Sequence, residues 1–283
     1  MIGVLLLTLR ELTAKKITLG LFLVSTLVWV MLSFALNLDI IDGTLAGMRI
    51  FGQEAIGEEA VGQVDDAGNP VNMLNQFVIG AQQAVAGASY WMGILLALFA
   101  TAPLINSMLE RGRVDLLLSK PIGRNTLLGS HLLGVLVIVF VLATYLMGMV
   151  WLVMSIKSGI WNVQFLYAIL MAVVMFLVMY SVVLLIGVST KSTALSLIVT
   201  YGLIFCSIVF LAKDQLIVQI NPPWRQVYVA FYHVLPNFAE VTKAVVQLAG
   251  GEAVTSWYPL GSSVLFGGVV YAIAFVRFSR RDF

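Results

Sequence analysis

Six long apolar runs, none carrying an Asp, Glu, Lys or Arg, constrain this chain more than any other feature. They cover residues 17–38, 85–109, 126–154, 163–188, 194–212 and 259–276. A helix needs about 20 mostly apolar residues to cross a hydrocarbon core ~30 Å thick. Within that core every backbone N–H and C=O must be satisfied internally, which leaves only helices or closed barrels. A barrel would show alternating strands of about ten residues, and no such pattern is present. Only 11% of residues are charged, against about 25% in soluble domains. The expected fold is an all-α integral membrane protein with six transmembrane helices in a single domain, residues 1–283.

The polar segments between the runs set the expected orientation. Arg10, Lys15, Lys16, Arg111, Arg113, Lys120, Arg124, Lys191, Arg277, Arg280 and Arg281 fall in short segments on one side. Arg49, Lys157, Lys213, Arg225 and Lys243 are spread over longer segments on the other. Cations collect on the cytoplasmic side, so both termini are expected there. The first run is too long for a signal-peptide core and lacks a small-residue cleavage site. Ahead of it, Ile2, Leu5, Leu6 and Leu9 repeat at helical spacing while Arg10, Glu11, Lys15 and Lys16 lie largely off that face. Residues 1–16 are therefore expected to form a helix lying in the cytoplasmic interface.

Two segments are expected outside. Residues 39–84 form an acidic loop with Asp39, Asp42, Glu54, Glu58, Glu59, Asp65 and Asp66 against one Arg. Such a run is read first as a solvated face, and second as a docking surface for an outer partner. Toward its end, Gly80, Ala84 and Ala88 make a small-residue row that suits a helix extending the second span outward. Residues 213–258 carry Asn221, Pro222 and Pro223, then Pro236, then Gly250 and Gly251. The pieces between these breakers are too short to span and too apolar for free loops. They are expected as interfacial or re-entrant helices before the last span. Trp224, Tyr228, Tyr232, Trp257 and Tyr258 suit a belt at headgroup level.

Several chemistries are excluded or disfavoured. With no charged residue in the six runs, His131 is the one ionisable candidate for an ion-coupled relay, and a hydrogen-bonded structural His is the simpler reading. Gly187 to Thr193 imitates a phosphate loop but lacks the second Gly before Lys191 and a preceding strand, so it reads as a cytoplasmic turn. Cys206 is the sole cysteine, which rules out a disulfide framework. Met171, Met175 and Met179 form a thioether row at i, i+4 and i+8. Thioethers suit Cu(I), but flexible Met is ordinary core material, so the row is at most a weak metal candidate. No nucleophile–base set, paired intramembrane carboxylates or nucleic-acid footprint is present; the chain reads as a non-catalytic subunit.

One polar segment stands apart. Residues 110–124 hold six of the thirty charged residues: Glu110, Arg111, Arg113, Asp115, Lys120 and Arg124. They surround an apolar core of Leu116, Leu117 and Leu118, with Gly112, Ser119, Pro121 and Gly123 at fixed offsets. The pattern Glu110-x-Gly112-x-x-Asp115, three Leu, Ser119-x-Pro121, Ile122 and Arg124 resembles the cytoplasmic signature of ABC-2 type transporter permeases. Leu235 to Phe238 resembles the outer segment these permeases place before their last span. The terminus Phe278 to Phe283 resembles their basic tail. Arg113 replaces the usual Thr or Ser, and Gly123 the usual Ser.

The resemblance implies a bacterial plasma-membrane exporter subunit with a partner ATPase on a separate chain, two copies per assembly. ATP and Mg would be bound by that partner, and no cofactor by this chain. A second permease subunit, as a homodimer, is implied as well. The implied coupling element is Glu110, Arg111, Gly112, Arg113, Asp115, Leu116, Leu117, Leu118, Ser119, Pro121 and Arg124, aided by Leu5, Leu9, Arg10 and Glu11 of the N-terminal helix. The alternatives are a non-transporting assembly that transmits ATP-driven motion to an outer partner through residues 39–84, and an ion-coupled secondary carrier.

Overall fold

The computed structural model describes residues 16–41, 44–50, 53–56, 73–108, 123–213 and 221–280. Its body is helical. Helix α1 spans Lys16–Ala35, α2 Met73–Met108, α3 Arg124–Ser158, α4 Tyr167–Thr190 and α5 Thr193–Cys206. Helices α6 (Pro222–Val234), α7 (Phe238–Gly250) and α8 (Tyr258–Ser279) complete it. Short 3₁₀ turns at Val163–Leu166 and Ser207–Ala212 lead into α4 and prolong α5.

Among the described residues, five stretches are long and apolar enough to cross a membrane. They are Asn75–Met108, Asn125–Ser158, Val163–Thr190, Thr193–Ala212 and Tyr258–Ser279. The first expected run appears as α1, a 20-residue helix whose described apolar stretch is Leu19–Met31. The fold departs from the expected plan where this helix ends. Leu36, Asn37 and Leu38, which the sequence pattern assigns to the first run, leave the helix and pair with Ile50, Arg49 and Met48. They open a three-stranded antiparallel meander of β1 (Leu36–Ile41), β2 (Thr44–Ile50) and β3 (Gln53–Ile56), an addition to the expected helical plan. Asp39 and Glu54 of the acidic loop belong to these strands.

The second span continues as a helix well ahead of its apolar run, since α2 starts at Met73 and runs for 36 residues. At 1.5 Å per residue that is roughly 54 Å, well beyond a bilayer core. The helix continues through Pro103 to Met108. The Gly187–Thr193 stretch is a tight helix–helix turn: Lys191 is left-handed (φ 56°), its N–H bonds Gly187 O, and Ser192 Oγ accepts the N–H of Leu195.

Helix α4 is the centre of the body. Its sequence is apolar on every face, the mark of a helix with no water-facing side, and Met175, Tyr180, Val183 and Leu184 are fully buried. Helices α2, α3, α5, α7 and α8 pack around it. The crossing with α8 is the most extensive, because Gly267 lets the backbones approach: a Cβ there would lie 3.2 Å from Val178 Cα. Tyr271 Oη donates to Leu177 O at 2.8 Å across the same contact.

Helix α1 stands outside this arrangement and leans on α3. Trp29 Nε1 donates to Tyr145 Oη (3.2 Å), and Tyr145 Oη is 3.0 Å from Thr26 Oγ1, which itself donates to Phe22 O. Phe22 stacks on the Tyr145 ring at 4.7 Å, and Lys157 Nζ donates to Ser33 O. Polar links of this kind between membrane helices contribute about 0.6–1.7 kcal/mol. Tyr145→Phe keeps the ring stacking and removes the two hydroxyl contacts. It is expected to loosen α1 by about 1 kcal/mol, read as several-fold faster amide exchange in α1 with α4 unchanged.

Candidate functional site

One end of the body brings four helices together. Asn106 Nδ2 of α2 donates to Thr193 Oγ1 of α5 (2.5 Å), and Arg277 Nη1 of α8 donates to Ser189 Oγ of α4 (2.9 Å). Gly187 faces Ile105, where a Cβ would come within 3.1 Å of Ile105 Cγ2. Residues 109–122 join the ends of α2 and α3, two helices that both pack on α4. Glu110, Arg111, Gly112, Arg113, Asp115, Leu116, Leu117, Leu118, Ser119 and Pro121 lie outside the described residues, as do Leu5, Leu9, Arg10 and Glu11. Arg124 opens α3, one residue after an exposed Gly123 in extended conformation (φ −62°, ψ 144°). His131 is buried near this end of α3.

The opposite half of the body holds a polar framework built on α7. The Leu235-Pro236-Asn237 break reverses the chain after α6, and α7 then packs into the body against α2 and α4. Its first N–H groups cannot be satisfied within the helix, and Asn237 makes no side-chain cap. Other helices supply the acceptors. Asn237 N–H donates to Ser263 Oγ of α8 (2.9 Å), and Ala239 N–H to Ser207 Oγ in the 3₁₀ extension of α5 (3.0 Å). Asn237 Nδ2 reaches Tyr232 O and Ser262 Oγ, each at 3.2 Å. From α2, Tyr90 Oη donates to Phe238 O (2.8 Å) and Trp91 Nε1 to Thr242 Oγ1 (2.9 Å).

At the far end of α7, Asn162 Nδ2 donates to Gln82 Oε1 (2.8 Å) and to Ala249 O (2.7 Å), while Asn162 O accepts from Trp151 Nε1. Gly251 turns the chain at φ 77° with Gln164 close against it. The short helix is thus tied to α2, α5, α8 and the α3–α4 turn. Asn237→Leu would strand the Tyr232 carbonyl in a buried site, at a cost of about 1–3 kcal/mol. The expected result is a lower unfolding midpoint in detergent, with new protease cleavage confined to residues 221–257.

Of the proposed belt residues, Trp224, Trp257 and Tyr258 are exposed. Tyr232 instead turns inward: its hydroxyl donates to Glu240 Oε2 (2.8 Å) and Lys213 Nζ sits 3.8 Å over its ring. Burial, then the hydrogen bond to Glu240, push the Tyr232 phenol above its ordinary range, so it stays a neutral donor. Met175 and Met179 are fully buried in the main core cluster, with Met171 packed against it. Among the described residues no His, Cys, Asp and Glu group assembles into a metal site.

The described body also contains an apolar cleft of about 300 Å³ between α1, α2, α3 and α4. Sequence reasoning did not find it, nor the serine acceptors of α7. The one sequence signal for the latter is the polar pair Ser262 and Ser263 within the last apolar run.

This chain is an integral membrane protein with several apolar helices of spanning length. No curated protein matches it at a significant level. The sequence profile described as ABC-2 family transporter protein matches residues 9–283. That match takes in all five spanning stretches, α1 and the 109–122 segment. By it, the chain belongs to the ABC-2 family of transporter proteins.

Proposed function

We propose that this chain is the permease subunit of an ATP-driven exporter, acting with a separate ATPase. The observation that carries the reading is the family match over six apolar runs that hold no Asp, Glu, Lys or Arg. Ion-coupled carriers place such groups within the membrane, and the chain has no phosphate loop of its own. Energy must then arrive from a partner on the cytoplasmic side, where the cation distribution puts residues 109–122 and both termini.

In this mechanism the Leu116–Leu118 core and the N-terminal helix seat in a groove of the ATPase. Glu110 and Asp115 meet basic groups there, and Arg111, Arg113 and Arg124 meet acidic groups or lipid phosphate. Gly112 permits the sharp turn into the segment and Pro121 ends it. Closure of two ATPase copies, with ATP and Mg between them, pushes the joined ends of α2 and α3. Pro103 supplies a hinge in α2, since the missing N–H leaves one carbonyl unbonded. Two permease copies line the path, and α1 acts as the sixth span.

Co-expression with the candidate ATPase, followed by purification through a tag on this chain, tests the reading. The expected result is a stable complex whose ATP turnover depends on this chain. Failure of any ATPase to bind would overturn it. A second reading is favoured by the hydrogen-bonded ties between α7 and the spans: motion of α2 and α8 would be transmitted to an outer protein. In that case the outer protein, and no solute, would stimulate the ATPase.

A further inference from the structure

We propose that the cleft between α1 and α2 holds one acyl chain of a bilayer phospholipid, drawn in sideways from the membrane. The cleft lies at mid-span. Its walls come from Leu21 to Val28 of α1, Ala88 to Thr101 of α2, Ile138 to Met147 of α3 and Ala172 to Phe176 of α4. The stretches on α1 and α3 are central in their helices, and those on α2 and α4 lie well inside the spanning stretches Asn75–Met108 and Val163–Thr190, so the surrounding medium at that depth is hydrocarbon.

The cleft has a mouth and a floor. Val24 and Met92 at the rim are 51% and 65% exposed, whereas Ile94, Met147 and Phe176 are at most 3% exposed. Its opening therefore faces sideways. The lining is aliphatic or aromatic apart from the hydroxyls of Ser25, Ser89 and Thr101. Thr101 Oγ1 is already spent on Ala97 O (2.6 Å). A polar or charged solute would lose its hydration here without replacement partners, and an apolar cavity of this kind does not hold water well. A hydrocarbon chain loses nothing and recovers dispersion contacts that an empty void forfeits.

The shape comes from an unmatched surface. Ser89, Gly93 and Ala97 form a small-residue row on α2, the kind of surface that lets a second helix approach closely. No described helix packs on it, because the Tyr145 cluster holds α1 against α3. A Cβ added at Gly93 would meet nothing within 4 Å. The space opposite Gly93 is therefore apolar and open to lipid, which suits a hydrocarbon chain and not a charged headgroup.

The test uses the full chain in phosphatidylcholine nanodiscs containing a trace of phosphatidylcholine with a diazirine at mid-chain. After irradiation, adducts are mapped by peptide mass spectrometry. The floor residues Ala172, Val173 and Phe176 are expected to carry label. Gly93→Leu grows a plug into the open space and also favours the helix. It is expected to cut floor labelling about tenfold, since each methylene excluded forfeits burial. Ala97→Phe, from the same wall, is expected to do the same and stands in should Gly93→Leu fold poorly. Gly268→Leu adds an equal side chain on the exposed face of α8, where there is also space, and should leave floor labelling unchanged. An unlabelled floor in the unaltered chain would overturn the proposal. So would floor labelling that both plugs leave at the level of the α8 control.

Discussion

Leu117→Asp is expected to reduce ATPase association about a hundredfold while leaving the spans folded. The segment it belongs to is polar and joins two apolar runs in the sequence, so a further charge there is expected to cost the isolated chain little. In the proposed complex the same position is the middle of an apolar plug. Central apolar residues dominate such interfaces, and burying an unpaired carboxylate costs several kcal/mol unless it is neutralised. About 2.8 kcal/mol corresponds to a hundredfold change in affinity. The measurement is the dissociation constant of the purified chain for its ATPase, with far-UV circular dichroism as the folding control. Leu117→Met should bind within a few-fold of the unaltered chain. Undiminished ATPase binding by Leu117→Asp would remove this segment from the coupling mechanism.

The second large effect is structural. Gly267→Leu places a branched side chain where even a Cβ would lie 3.2 Å from Val178 Cα. A backbone atom cannot rotate away, so α4 and α8 must separate. Overpacking of a tight contact typically costs about 1–3 kcal/mol, and this site falls at the upper end because the obstruction is main chain. Separation also stretches the Tyr271 to Leu177 O hydrogen bond. Denaturant titration in mixed micelles should show a loss near 3 kcal/mol. Gly268→Leu, one residue away on the exposed side, should lose nothing, since there the space is open.

The contrast between these neighbouring glycines shows what sequence could and could not reveal. Span existence was legible because the hydrocarbon thickness dictates length and apolarity. The N-terminal extension of α2 was legible from Gly80, Ala84 and Ala88, and the Lys191 turn from its failed resemblance to a phosphate loop. The inward faces were not legible. In lipid both faces of a span are apolar, so Gly267 and Gly268 look alike in one dimension. The seating of α7 was equally hidden, since Ser207 and Ser263 lie about 30 residues on either side of the N–H groups they satisfy. The cleft escaped because it depends on α1 choosing α3 over α2, a choice made by Tyr145, Thr26 and Trp29 together. The candidate coupling residues rest on their motif, since that segment lies outside the described residues.

The central position of α4 carries a consequence for biosynthesis. Spans leave the ribosome in order and partition into lipid before their later neighbours exist. When α4 enters the bilayer, α5, α7 and α8 have yet to be made, so most of its surface first meets acyl chains. An all-round apolar surface serves both settings: it is soluble in lipid during synthesis and packs against protein afterwards. Polar anchors such as Ser207 and Ser263 are instead on the spans that arrive later, when the groups they bond are close to emerging or already present. Maturation would then end with docking of α8 onto α4, and truncation before Tyr258 should leave a membrane-inserted chain that is assembled only in part.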